Sequence, residues 1–207
     1  MVKPVSIGII GIQGAVSEHC SLLNRINTMS DEKRCEVSVI RQKTQLDTVQ
    51  GIVIPGGEST TISRFLQQKG LAEEIKRRVK DRSLAVMGTC AGCVILASRL
   101  VHEDEEVSLL NLMDMEVERN AFGRQRESFE DKIDINGISS SFPAVFIRAP
   151  VITSVWGTCN LLAQVEQYGI MAEQENLLAL SFHPELTTDI RLHQYFLSMV
   201  ENMIENQ

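Results

Sequence analysis

The residue best placed for covalent chemistry is Cys90, in the string Gly88-Thr89-Cys90-Ala91-Gly92. It lies between an apolar run, Leu84 to Met87, and an apolar segment with helical character, Ala91 to Leu100. A nucleophile centred in G-x-Nuc-x-G is lifted above a sheet edge by a tight strand-to-helix turn, and the glycines are needed because backbone meets backbone there. The start of a helix favours thiolate over thiol, and the N–H of Ala91 can donate to a developing oxyanion. A plain structural turn with a buried thiol is the simpler alternative. Cys90 and Cys93 also form C-x-x-C, a redox or half-zinc spacing. No second C-x-x-C completes a four-cysteine site and the histidines are scattered, so no metal is expected. Cys93 reads more simply as a small residue on the buried side of the helix.

A thiol nucleophile needs a base. Of His19, His102, His183 and His193, the best context belongs to His183, in Phe182-His183-Pro184-Glu185 just past the apolar run Leu177 to Phe182. A base at one strand end can face a nucleophile at a neighbouring strand end, and Glu185 can hold the imidazole in the required tautomer. The rival reading makes His183 a turn residue and Glu185 a solvated one. His19 and His193 fall in predicted helices and His102 in a polar loop, and all three are assigned to the surface. Pro55-Gly56-Gly57-Glu58-Ser59-Thr60 follows another buried run. Its paired glycines let backbone N–H groups turn toward a ligand. Glu58 would repel a phosphate and no G-x-x-x-x-G-K-[ST] pattern is present, so a carbonyl becoming an oxyanion suits the loop better. Ser59 or Thr60 capping the next helix is compatible with that role.

These residues must be positioned by an alternation of elements. Strands are predicted over 5–12, 35–41, 51–54 and 84–87, and helices over 15–26, 60–69, 71–80 and 91–100. Such alternation implies a parallel sheet covered on both faces, with sites outside the carboxyl ends of its strands. The second half reads as strands over 107–117, 144–147, 161–165, 170–172 and 177–182, then a helix over 188–205. The fold class is therefore α/β: a three-layer sandwich with a mostly parallel central sheet flanked by helices, plus antiparallel additions. Residues 27–34 read as a charged loop and 120–141 as a long polar excursion.

The 207 residues suit one core, and a single domain over 1–207 is expected. A net charge of −7 argues against nucleic acid or an anionic membrane surface as partner. No apolar stretch reaches the length of a membrane span, and Met1-Val2-Lys3-Pro4 leads directly into a short apolar run, so no leader is expected. Five irregularly spaced cysteines then point to reduced thiols in the cytoplasm, with Cys20, Cys35 and Cys159 as small buried residues.

Taken together, Gly11 to His19, Pro55 to Thr61, Gly88 to Gly92, Glu118 to Gln125, Phe146 to Pro150 and Phe182 to Glu185 resemble the class I glutamine amidotransferases. More narrowly, they resemble the glutaminase subunits of pyridoxal 5′-phosphate synthase, the PdxT/SNO type. The resemblance covers residues 11–185, and the Pro55-Gly-Gly-Glu-Ser-Thr and Glu118-Arg-Asn-Ala-Phe-Gly-Arg-Gln strings narrow it to this subfamily. It implies a flavodoxin-like fold and hydrolysis of L-glutamine to L-glutamate and ammonia through a glutamyl thioester, without a cofactor. Cys90, His183 and Glu185 would form the triad, and Gly57 and Ala91 the oxyanion hole. Gly57, Glu58, Ser59, Arg119, Ile147 and Arg148 would line the glutamine pocket, and Gln13 would respond to the partner. That partner would be a (β/α)8-barrel synthase subunit in a hetero-oligomer. Independently, a substrate carboxylate needs a cation, which Arg119 or Arg148 can supply in bidentate form. The segments 27–34 and 101–107 look longer than in compact members of the family.

Overall fold

Short runs of aliphatic residues alternate with amphipathic segments, and the computed structural model folds them into one twisted sheet with helices on both faces. It describes residues 4–30, 32–102, 106–119, 121 and 128–206. The first half contains β1 (Val5–Ile10), α1 (Val16–Thr28), β2 (Cys35–Ile40), β3 (Gly51–Ile54), α2 (Ser59–Gln68), α3 (Leu71–Lys80), β4 (Ala85–Thr89) and α4 (Ala91–Leu96). The second contains β5 (Ala97–Leu100), β6 (Met113–Glu118), β7 (Ser128–Ile133), β8 (Phe142–Ile147), β9 (Val151–Val155), β10 (Asn160–Val165), β11 (Tyr168–Gln174), β12 (Leu177–Leu180) and α5 (Arg191–Glu205).

The main sheet runs β2-β1-β3-β4-β12-β11-β9-β6-β5, with β10 paired to β11. Its first five strands are parallel, in the flavodoxin-like order. The strands β11, β9 and β10 add antiparallel pairings, and β5 returns parallel to β6. Alternation along each parallel strand feeds two cores. Ile52, Ile54, Val86 and Ala179 pack beneath α2, α3 and α4, whereas Val53, Met87, Leu178 and Leu180 join the residues beneath α1 and α5. The predicted α/β sandwich with antiparallel additions is the observed architecture. Among the described residues no helix is long and apolar enough to cross a membrane, and no group of three or more His, Cys, Asp or Glu could hold a metal ion.

Several boundaries differ from expectation. The helix predicted over 91–100 stops at Leu96, because residues 97–100 pair with β6 and the Ser98 hydroxyl donates to the Met113 carbonyl at 2.7 Å. Of the strand expected over 107–117 only Met113–Glu118 pairs. Residues Val107 and Leu110 instead pack against the core as an irregular anchor, with Leu110 N–H donating to the Ile95 carbonyl. Residues 128–133 of the polar excursion form β7, which pairs with β8 as a separate ribbon. Their polar surface hides the alternation, but Phe129 stacks on Phe146 with ring centres 4.5 Å apart. Asn120 and residues 122–127 lie outside the described residues, as do 103–105 of the expected extension and Asp31 of the charged loop. That loop is shorter than expected, since α1 continues to Thr28 and the Asn27 side chain accepts the N–H groups of Arg34 and Cys35 at 2.9 and 3.0 Å. The last helix begins at Arg191 rather than 188. Strand β9 and a 3-10 helix, Lys43–Thr48, were not anticipated.

Candidate active site

Four neighbouring parallel strands, β1, β3, β4 and β12, end on the same side of the sheet, and each is followed by a segment singled out in the sequence. After β1 come Gln13 and Gly14, after β3 Gly56 to Ser59, after β4 Cys90 and Ala91, and after β12 His183. The ribbon contributes Ile147 and Arg148, and Arg119 follows β6. All of these line one cavity of about 730 Å³, together with Ala15, Val94, Ser128, Pro150 and Leu186. Glu185 lies behind the wall with its side chain fully buried.

The turn at Cys90 is held by close approach. A methyl group on Gly92 would overlap the Ile54 carbonyl, and one on Gly88 would come within 2.6 Å of the Gly92 carbonyl group. Between them Cys90 adopts φ 49° and ψ −104°, a conformation rare outside glycine and characteristic of functional turns. Its N–H donates to the Leu180 carbonyl at 2.8 Å, tying β4 to β12, and its Sγ lies 3.8 Å from the Ile147 carbonyl. His183 is fixed from three directions. Its backbone N–H donates to the Val145 carbonyl at 2.8 Å, and its Nδ1–H donates to Glu185 Oε1 at 2.7 Å. With Nδ1 engaged by Glu185, Nε2 is the ring nitrogen left to meet Cys90. Gly56 sits against this contact: a methyl there would overlap His183 Cε1 and come within 3.2 Å of Cys90 Cβ.

Burial alone would depress the His183 pKa, but hydrogen bonds to Cys90 and Glu185 more than offset it and push it up to about 10. Cys93 differs: it is fully buried, and burial pushes its thiol far above the usual range, so it offers no second thiolate for redox or metal chemistry at neutral pH. All five cysteines are free thiols.

The glycine loop completes the floor. Gly57 has φ +147°, a backbone state that side chains rarely adopt, and packs close to Gln13. The Glu58 N–H donates to Gln13 Oε1 at a long 3.4 Å. Ser59 is buried at the start of α2, whereas Glu58 is exposed. On the opposite wall Arg148 holds φ 44°, an uncommon backbone state for a long side chain, and Ile147 is partly exposed beside it.

Two assignments are corrected by the structure. His19 and His193 are not at the surface: both are completely buried, on α1 and α5, with His19 Nδ1 2.9 Å from His193 Nε2. His19 Nε2 lies 3.5 Å from Glu185 Oε2. The signal was present in the sequence. Leu22, Leu23 and Ile26 follow His19 at three, four and seven residues, and Phe196, Leu197 and Val200 follow His193 at the same spacings, which places each histidine on the core face of its helix. His102 is exposed, as expected. Gly56 and Gly14 were missed as individual site residues. A methyl on Gly14 would overlap the Gly56 carbonyl, so the first and third strand-end loops touch.

An elbow cysteine, an imidazole and a carboxylate at the carboxyl ends of a parallel sheet define a cysteine-hydrolase class of site. The SNO glutamine amidotransferase family model matches residues 9–202, and the chain belongs to that family. It is 48% identical over 198 residues to the pyridoxal 5′-phosphate synthase subunit PdxT of Methanosarcina acetivorans, covering 95% of this chain and 98% of that one. Against the PdxT of Anoxybacillus flavithermus it is 44% identical over 201 residues, covering 97% and 100%. A solved glutamine amidotransferase superposes with TM-score 0.86 at 39% identity, over 94% of this chain and 98% of that one. A glutamine amidotransferase from Thermotoga maritima, 13% identical with TM-score 0.60, shares the fold.

Proposed function

We propose that this chain hydrolyses L-glutamine to L-glutamate and ammonia and delivers the ammonia to a (β/α)8-barrel synthase subunit that makes pyridoxal 5′-phosphate, within a cytoplasmic hetero-oligomer. What supports the reading is Cys90 and His183 on one cavity, with His183 bonded to the buried Glu185, in a chain nearly half identical to PdxT over almost its full length.

In this mechanism His183 takes up the thiol proton and the sulfur attacks the δ-carbon of glutamine. The N–H groups of Gly57 and Ala91 receive the carbonyl oxygen as it becomes an oxyanion. His183 returns its proton to the amide nitrogen, the C–N bond breaks and ammonia leaves, with the glutamyl group held as a thioester. His183 then draws a proton from water. The resulting hydroxide displaces the sulfur, and glutamate departs. Glu185 holds the imidazole tautomer throughout. Arg119 and Arg148 receive the α-carboxylate, while Glu58, Ser59 and Ile147 shape the remaining pocket. Gln13, which engages the Glu58 N–H, ties the glycine loop to the mouth of the cavity, where docking of the synthase would set the loop for catalysis.

The test is glutamate release with and without the barrel subunit, in wild type and Cys90→Ala. The expected result is weak hydrolysis alone, strong stimulation by the barrel subunit and none with Cys90→Ala. Full activity without a partner would instead favour a stand-alone hydrolase.

A further inference from the structure

Glu185 carries a polar demand that His183 does not meet. Its Oε1 accepts from His183, but its side chain is fully buried and Oε2 has no partner of hydrogen-bond geometry among the described residues. A buried carboxylate oxygen without a donor is costly. The group facing Oε2 is Nε2 of His19, 3.5 Å away and also fully buried. Behind it, His193 Nε2 stands 2.9 Å from His19 Nδ1. Thr89, immediately before the nucleophile, places its Oγ1 3.4 Å from His19 Nε2. Four elements thus converge on one buried line running from Cys90 through His183, Glu185 and His19 to His193.

The protons on this line can be placed by elimination. Burial, followed by the influence of His193 and His183, holds His19 well below the ordinary 6.5, and burial lowers His193 to about 4, so both rings are neutral near pH 7. A neutral imidazole has one N–H and one lone pair. With its proton on Nδ1, His19 would point a lone pair at the Glu185 carboxylate. His193 would then carry its own proton on Nδ1, a buried atom with no partner. With the proton on Nε2, His19 donates toward the carboxylate and accepts from His193 Nε2–H, leaving only an acceptor lone pair orphaned at His193 Nδ1. The second arrangement avoids both a repulsion and an orphaned donor.

We infer that His19 is a positioning residue of the cysteine centre: its Nε2–H supports the second oxygen of Glu185, and His193 fixes the tautomer that allows it. The 3.5 Å separation is long, and such contacts in catalytic sites commonly tighten once substrate binds. The effect is transmitted. A carboxylate held by two donors keeps its rotamer, and with it the orientation of the His183 ring toward Cys90. This inference rests on the hydrolase reading of Cys90 and His183.

The experiment measures two quantities on the full-length chain carrying His19→Phe or His19→Gln. The first is the pH dependence of Cys90 alkylation by iodoacetamide. The second is steady-state glutamine hydrolysis in the presence of the barrel subunit. His19→Phe keeps the volume but removes the donor. It should move the alkylation rise to higher pH and lower kcat on the order of 10-fold to 100-fold, as loss of an outer partner of a catalytic side chain does, with KM little changed. His19→Gln, whose amide N–H can replace the ring donor, should restore most of both. The companion pair His193→Leu and His193→Gln reads the same line from its far end, and covers a His19→Phe protein that fails to fold. An alkylation profile equal to wild type in folded His19→Phe, or in His193→Leu where His19→Phe does not fold, overturns the inference. So does a folded glutamine variant as impaired as its apolar counterpart. Normal alkylation by wild type without glutamine hydrolysis would sink the glutaminase reading and leave this one to be judged on the alkylation data.

Discussion

The charge of His183 answers to its neighbours, so a change at Cys90 is read at the ring. Burial works against a protonated His183, and hydrogen bonding to the thiol and to Glu185 reverses that balance, giving about 10. Removing the sulfur in Cys90→Ala should therefore lower the imidazole pKa by about a unit or more, which NMR titration of the His183 ring protons would detect. An unchanged titration would mean that the thiol does not support the ring. Gly56 gives a separate test of geometry. A methyl there would overlap the His183 ring, so Gly56→Ala should lower kcat by about 100-fold, the scale of a misplacement near 1 Å. Its melting temperature should fall as well, because moving the ring strains the 2.7 Å bond to the buried Glu185. At this scale the sequence was informative where chemistry and turn geometry coincide. Cys90 is marked by its glycines and His183 by its place after a buried run. His19 and His193 were misread because polarity was weighed above the three-four-seven spacing of the leucines, isoleucine, phenylalanine and valine that share their faces.

Between elements, the sharpest constraint joins β3 to α4. Gly92 packs directly on the Ile54 carbonyl, and backbone cannot rotate aside as a side chain can. Gly92→Ala should destabilise the fold by about 1–3 kcal/mol, the range for overpacking a filled interior, measured by denaturant unfolding. An undisturbed midpoint would show that the elbow has slack. The parallel half of the fold was legible because each strand is a continuous aliphatic run between turn signals. The antiparallel half was less so. Strand β7 has Ser128, Glu130, Asp131 and Lys132 on or near the solvent, and its identity depends on pairing with Phe142–Ile147 rather than on its own residues. Residues 97–100 look helical in isolation and become β5 because β6 lies alongside them.

For the whole molecule, the buried histidines predict how stability follows pH. His193 is lowered to about 4 and His19 is lowered too, so the unfolded chain binds more protons than the folded one as pH falls below 6.5. Their contribution is present above that value and is lost on acidification. His183 is raised to about 10, so its contribution is present below 6.5 and is lost as pH climbs toward 10. Together these three groups place their joint optimum near pH 6.5. Thermal melts from pH 4 to 10 should show decline on both sides, and Cys90→Ala should flatten the alkaline side. A curve insensitive to that substitution would contradict the account. The β7–β8 ribbon touches the main sheet's chemistry by its spine: Val145 holds the amide of His183, Ile147 faces the sulfur, and Arg148 comes next. In the proposed role of Arg148 as holder of the substrate carboxylate, this appendage would act as a ruler whose zero is the thiol. Glutamine and asparagine differ by one methylene, so sliding the ribbon along its own axis would change which amide reaches the sulfur, and the length of the accepted amino acid would follow the register of two short strands.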